Sequence, residues 1–99
     1  MYNNTKQPKT FEEIDARLQE DLKKINGEID EIESHLQVGQ QMLETEIAKK
    51  SDETVIKKYT KGLEELQKGL ELFLNIKDEI QNTIAKLHET KKQADEYIK

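Results

Sequence analysis

Residues 56–98 read IKKYTKG LEELQKG LELFLNI KDEIQNT IAKLHET KKQADEY I, which is six seven-residue repeats followed by one further residue. When each repeat is labelled abcdefg, most of its a and d positions are apolar. The a positions are Ile56, Leu63, Leu70, Lys77, Ile84, Lys91 and Ile98, and the d positions are Tyr59, Leu66, Phe73, Ile80, Leu87 and Ala94. Apolar residues at a and d are typical of coiled coils. This stretch therefore predicts one long helix with a single apolar seam.

A similar pattern precedes it. Thr10 lies three residues before Glu13, the capping-box spacing that satisfies free amide groups at the start of a helix. Apolar residues then recur mostly at steps of three and four, at Phe11, Ile14, Leu18, Leu22, Ile25, Ile29, Ile32, Leu36 and Leu43. The a positions are Leu22, Ile29, Leu36 and Leu43, and the d positions are Leu18, Ile25, Ile32 and Gly39. We expect a second coiled-coil helix here, with this row of apolar residues, Ile14 included, as its seam.

The polar residues Lys49-Lys50-Ser51-Asp52 separate the two patterns. Ser51 can cap the second helix, and Asp52 and Glu53 are favourably placed on its dipole. We expect a helix over 10–48, a turn over 49–52 and a helix over 52–99. These form one helical-hairpin domain, residues 10–99, after a disordered N-terminal tail over 1–9.

The two seams agree with each other in an antiparallel arrangement. A chain that reverses near Ser51 pairs residues whose numbers add up to about 102. Leu43 then faces Tyr59, and Leu18 faces Ile84, so that each layer joins an a position to a d position. We predict an all-α fold: a long antiparallel two-helix coiled-coil hairpin, paired with a second hairpin into a four-helix bundle.

Asn26-Gly27 interrupts the first pattern and leaves two alternatives open. This dipeptide often ends a helix and could divide the first helix into two. However, Ile25, Ile29 and Ile32 keep the same phase on both sides of it, which favours one continuous helix. Gly27 would then lie on the outward side.

The flanks of the second helix carry few charges. Its thirteen e and g positions from Val55 to Tyr97 include one charged residue, Asp95, although 37% of the chain is charged. Residues 70–76 add a dense apolar run, and such patches usually mark an interface. We therefore predict a protein interface that consists of Val55, Gly62, Gly69, Leu72, Phe73, Leu74, Ile76 and Thr83. It would serve self-association, with a dimer favoured, or alternatively the docking of a different subunit.

Two features of the second helix have more than one interpretation. Gly62 and Gly69 cost the helix about 2 kcal/mol in propensity, which close approach of another backbone could offset. Alternatively, the helix simply tolerates two unfavourable residues. Lys77 and Lys91 at a positions could fix the register of the partner, or extend their charged ends to solvent from the edge of the seam.

Charge is distributed unevenly along the chain. Residues 12–46 hold eleven acidic residues against three basic ones, a local charge of −8. Most such stripes are solvated faces. The functional alternative is an acidic inhibitor, for instance one encoded by a mobile element, that blocks a cationic nucleic-acid-binding groove of a target protein. Its acidic face would comprise Glu28, Asp30, Glu31 and Glu33, beside a basic tip of Lys49, Lys50, Lys57, Lys58 and Lys61.

Other functional classes find little support. The net charge of −5 disfavours direct binding to nucleic acid. The chain has no cysteine and no phosphate-binding loop, and His35 and His88 fall in different layers, so we expect no enzyme activity, cofactor or metal. We expect no membrane span and a cytoplasmic location, with signal-free export left open. The predicted function is a non-enzymatic protein-binding hairpin: an adaptor, assembly factor or small chaperone.

Overall fold

The computed structural model describes residues 10–98 of the chain, and the side chains of residues 10–97. It contains two helices, α1 (Phe11–Ala48, 38 residues) and α2 (Glu53–Ile98, 46 residues), and no strand in the described part. The longest dimension is 71 Å, close to the length of about 69 Å expected for α2 alone. The predicted disordered tail over residues 1–9 lies outside the described residues. The all-α hairpin is confirmed.

The start of α1 is held by the capping box. The Thr10 hydroxyl accepts a hydrogen bond from the Glu13 amide at 3.1 Å, and the Thr10 amide donates to the Glu13 carboxylate at 3.2 Å. Thr10 has an extended backbone, so the helix itself begins at Phe11. Both halves of the predicted motif are therefore present.

Helix α1 continues through Asn26-Gly27, as the phase of its apolar residues predicts. Gly27 faces outward, and a β-carbon built there would meet nothing within 4 Å. Because the seam keeps the same phase on both sides, the propensity cost of this glycine does not divide the helix.

The connection between the helices is a tight Schellman turn. The Lys50 amide donates to the Ile47 carbonyl at 2.9 Å, and the Ser51 amide donates to the Glu46 carbonyl at 3.1 Å. Lys50 adopts a left-handed backbone conformation with φ 58°, where glycine is the usual residue. A lysine here is strained by about 1 kcal/mol.

Ser51 does not cap α2, so that prediction is wrong. Its hydroxyl donates instead to the Glu46 carboxylate at 2.6 Å. Helix α2 begins at Glu53, so Asp52 holds the capping position and Ser51 lies one residue too early. The Schellman turn places the Ser51 hydroxyl beside the last turn of α1, where it reaches Glu46. Asp52 lies at the start of α2, and its carbonyl accepts from the amides of Val55 and Ile56.

Burial follows the predicted heptads. Ile29 and Leu70 at the centre of the rod are the buried hydrophobic residues among those described, and most other a and d side chains are half-buried. Ile14 is an exception, because it is 36% exposed and Asp15 takes the inward place. The seam steps from Phe11 to Asp15 to Leu18, which leaves Ile14 at a g position. The prediction that Ile14 lies in the seam is wrong.

The register of the hairpin is antiparallel, as predicted. A β-carbon on Gly39 would lie 2.7 Å from Leu63, and one on Gly69 would lie 3.9 Å from Ile32. At the far end, Asp15 contacts His88 at 2.9 Å. The numbers in each pair add up to between 101 and 103, so the helices stay in register from the turn to the open end.

Candidate functional site

The exposed apolar residues of the hairpin concentrate on one of its two flanks. In an antiparallel coiled coil the g positions of the two helices lie on the same side, and each c position adjoins a g position three or four residues away. We call this side the g flank and define it by the following residues: Val38 and Met42 from α1, and Val55, Gly62, Gly69, Leu72, Ile76 and Thr83 from α2.

The g flank leaves apolar side chains in contact with solvent. Leu72 is 64% exposed and Val38 is 53% exposed, and Met42 and Ile76 are exposed as well. Leu72 adjoins Ile76 on α2, and Val38 adjoins Met42 on α1, because each pair is four residues apart. The two pairs form separate apolar patches, one on each helix, and exposed apolar patches are typical of protein-binding faces.

A hollow in the g flank is lined by glycines from both helices. We call it the glycine notch; Gly39, Lys58, Tyr59, Gly62, Leu63 and Leu66 line its walls, and its volume is about 200 Å³. Gly39 lies in the seam, where Leu63 occupies the place that a side chain would need. Gly62 lies at the rim, and a β-carbon there would meet nothing within 4 Å. The notch can therefore accept an apolar side chain from outside.

A second hollow lies further along the same flank. It is lined by Asp21, Lys24, Ile25, Ile76 and Ile80. Asp21 and Ile76 are g residues of different helices, which places the g positions of α1 and α2 on one side of the rod. Ile76 is one of the lining residues and is 36% exposed.

The eight residues of the predicted interface do not all lie on one surface. Six belong to the g flank, where Val55 and Gly69 are half-buried and Thr83 donates its hydroxyl to the Glu79 carbonyl at 2.8 Å. Phe73 lies in the seam at a d position and is half-buried. Leu74, 39% exposed, lies on the opposite side at an e position, as does Ile47 of α1.

Two residues of the g flank, Val38 and Met42, and one residue of the glycine notch, Gly39, were not singled out as interface residues from the sequence. Val38 and Met42 are four residues apart and off the seam, a spacing that marks a second apolar strip on α1. Gly39 occupies a d position opposite Leu63, and a lone glycine inside a seam is itself a signal for a gap. These signals involve only one or two residues of α1 each, so they are less noticeable than the repeated pattern along α2.

A polar and aromatic cluster joins the helices at the open end, and we call it the end latch. His88 Nε2 lies 2.9 Å from Asp15 Oδ1, and the rings of Phe11 and His88 meet edge to face with centroids 5.0 Å apart. Lys91 Nζ lies 5.4 Å from the centre of the Phe11 ring and 2.9 Å from Asp95. The end latch thus ties the first turns of α1 to the last part of α2.

Hydrogen bonding in the end latch moves two pKa values. The hydrogen bond with His88 lowers the pKa of Asp15 below its ordinary value, with a smaller contribution from Gln19. The hydrogen bond with Asp95 raises the pKa of Lys91. Lys91 reaches an acidic partner at the edge of the seam, which supports the interpretation that its charged end extends out of the core.

The predicted acidic face is exposed but is not a single face. Glu28 and Glu31 lie at g and c positions, on the side of the g flank, whereas Asp30 and Glu33 lie at b and e positions on the other side. At the predicted basic tip, Lys49 pairs with Glu46 at 3.8 Å and Lys57 pairs with Glu53 at 3.9 Å. The other three tip lysines, Lys50, Lys58 and Lys61, make no ion pair with another described residue.

Within residues 10–98 the structure contains no group of three or more His, Asp or Glu side chains that could hold a metal ion. His35 is exposed on α1 and lies far along the rod from His88.

Neither α1 nor α2, over the residues described, has a stretch that is long and apolar enough to cross a membrane.

The geometry defines the class of protein: a long antiparallel coiled-coil hairpin whose exposed apolar side chains lie mostly on one flank. When the chain is compared with protein-family models, curated proteins and solved structures, nothing matches it.

Proposed function

We propose that this protein is a non-enzymatic protein-binding module, a helical hairpin that self-associates through the g flank and acts as an adaptor, assembly factor or small chaperone. The exposed apolar patches formed by Leu72 with Ile76 and by Val38 with Met42 carry this proposal. Burial of this apolar surface against a partner would remove it from water and so favour association.

The thin core of the hairpin supports the same proposal. Two helices side by side bury one layer of side chains, and Ile29 and Leu70 are the buried hydrophobic residues among those described. Domains of about 100 residues with so little buried surface commonly gain stability from oligomerisation. A second hairpin laid on the g flank would convert one layer into two, which is the arrangement of a four-helix bundle.

The test compares Ile76→Glu with Leu74→Glu in light scattering over a series of protein concentrations. The two residues are similarly exposed, at 36% and 39%, but lie on opposite flanks, so they form a matched pair. We expect a wild-type dimer, a monomeric Ile76→Glu variant, and a Leu74→Glu variant that remains dimeric. A monomeric wild type would exclude self-association, and equal effects of the two variants would exclude the g flank.

The second candidate is the acidic inhibitor, supported by the local charge of −8 over residues 12–46 and by the exposure of Glu28, Asp30, Glu31 and Glu33. The position of these acids on both sides of α1 would require a groove that surrounds the helix. Binding to such a target would weaken steeply as salt rises, whereas apolar association through the g flank would not. A salt titration of the interaction distinguishes the two.

A further inference from the structure

We propose that the second copy of the chain docks antiparallel along α2, about a two-fold axis beside Gly69, with Ile76 of each copy in the glycine notch of the other. This inference rests on the proposed function, because it requires self-association through the g flank. It adds the orientation, the register and the residues that meet.

The first support is the spacing of Gly62, which has no side chain, and Ile76, which is partly exposed, on either side of Gly69. Gly62 lies seven residues before Gly69, and Ile76 lies seven residues after it, all at g positions. A two-fold axis at Gly69 therefore places Ile76 of one copy opposite Gly62 of the other, and does so twice. Ile76 is 36% exposed, whereas a β-carbon on Gly62 would meet nothing within 4 Å.

Gly69 itself suits the position on the axis. Its own helix and α1 leave a β-carbon only one neighbour within 4 Å, Ile32 at 3.9 Å. Two α2 helices that cross at facing glycines can approach more closely than two that cross at larger side chains. The repeated Lys-Gly-Leu-Glu segments at 61–64 and 68–71 thus receive one explanation: the first glycine opens the notch and the second allows close approach.

The second support is charge complementarity along the neighbouring c row of α2. Lys58 lies eleven residues before Gly69 and Glu79 lies ten residues after it, so the same axis places them opposite each other. Both residues are exposed. Such surface pairs add little affinity, but they select orientation.

A parallel arrangement lacks both features. It would place Lys58 opposite Lys58 and Glu79 opposite Glu79, so that like charges repel. It would also bring Ile76 against Ile76 and leave both glycine notches empty. The observed spacing therefore favours the antiparallel dimer.

Cysteine cross-linking tests the register directly, because the wild-type chain has no cysteine. Lys58→Cys and Glu79→Cys are prepared separately, and each variant is oxidised alone and in an equimolar mixture. We expect a covalent dimer in the mixture and little in either variant alone. Lys57→Cys mixed with Asp78→Cys is the matched control, because both residues lie one position away at outward b positions and should not cross-link.

The outcomes separate this inference from the proposed function. A wild type that is monomeric in light scattering contradicts the proposed function and the docking mode together. A dimeric wild type in which Lys58→Cys cross-links with itself indicates a parallel dimer and overturns the docking mode alone. The same conclusion follows if the mixture cross-links no better than the control pair.

Charge exchange gives a second measurement that does not depend on oxidation. Lys58→Glu should raise the dimer dissociation constant about three- to ten-fold at low salt, because two opposite-charge pairs become like-charge pairs. Lys58→Glu combined with Glu79→Lys should restore the wild-type value. A double variant that is as weak as the single one would overturn the proposed register.

Discussion

Gly39 and Leu63 fit against each other across the seam: a β-carbon on Gly39 would lie 2.7 Å from Leu63 Cδ2, closer than atoms of this kind can approach. The leucine therefore fills the space that the glycine leaves in α1. Both residues also line the glycine notch.

Replacing Gly39 by a larger residue should destabilise the hairpin. Gly39→Val forces Leu63 from its position, and we expect the free energy of unfolding to fall by about 1–3 kcal/mol. Gly27→Val is the control, because that position is open and the change should stay within about 0.5 kcal/mol. Urea denaturation followed by circular dichroism at one protein concentration measures both. Equal urea midpoints for the two variants would mean that the close contact between position 39 and Leu63 does not affect the stability of the hairpin.

Gly62→Ala and Gly27→Ala should differ in association but not in helix stability. Each alanine adds about 1 kcal/mol of helix propensity, and neither new methyl group meets an atom within 4 Å. Only the alanine at position 62 narrows the glycine notch against Ile76 of a second copy. We therefore expect weaker dimerisation of Gly62→Ala in sedimentation equilibrium and unchanged dimerisation of Gly27→Ala. Identical dissociation constants would argue against an occupied notch.

The left-handed backbone at Lys50 predicts a stabilising substitution. Glycine adopts φ 58° without strain, so Lys50→Gly should raise the free energy of unfolding by about 0.5–1 kcal/mol. Lys49→Gly is the matched control, because Lys49 has φ −76° and glycine there only adds freedom to the unfolded chain. We expect the control to lose stability in thermal melts. A loss in both variants would contradict the strain at Lys50.

The end latch should weaken in acid because of Asp15. Its pKa is lower in the folded chain than in the unfolded chain, where a value of about 3.9 is expected. The stability that it adds is fully present above that unfolded value and is lost as pH falls toward the folded pKa. The difference in stability between wild type and Asp15→Asn should therefore shrink below about pH 4.

The same cause can be checked by titration. Carbon-13 NMR of the Asp15 carboxyl group should show a higher pKa in His88→Ala than in wild type, since the lost hydrogen bond is the main cause of the shift. His35→Ala is the control and should leave the titration of Asp15 unchanged. A wild-type pKa at the ordinary value would contradict the role of the latch.

The hairpin and its register could be predicted from sequence because they depend on a long, repeated pattern. Several apolar residues in one phase outweigh a single unfavourable residue, which is why Gly27, between Ile25 and Ile29, could be assigned to the interior of α1. Ser51 could not be assigned in this way, because its position depends on the local geometry of the turn, which places its hydroxyl beside Glu46. Ile14 could have been assigned, because counting back seven residues from Leu22 puts Asp15 at a and Ile14 at g.

The g flank could be predicted from the sequence only in part. Val55, Gly62, Gly69, Ile76 and Thr83 share a helical row, so the periodicity alone groups them. Phe73 and Leu74 were included because they belong to a dense apolar run, but a run of adjacent residues covers every side of a helix. The glycine notch requires Gly39 and Gly62 together, and their proximity depends on the three-dimensional register.

The end latch joins Asp15 to His88, residues separated by 73 positions, whereas the turn joins helices across four residues. Contacts further from the turn close progressively longer loops. The two helices can therefore pair from the turn toward the termini, with a small entropic cost for each added contact. Unfolding should run in reverse and begin where the termini meet. Amide protons near Phe11 and Lys91 should then exchange with solvent sooner than those beside Leu43 and Tyr59.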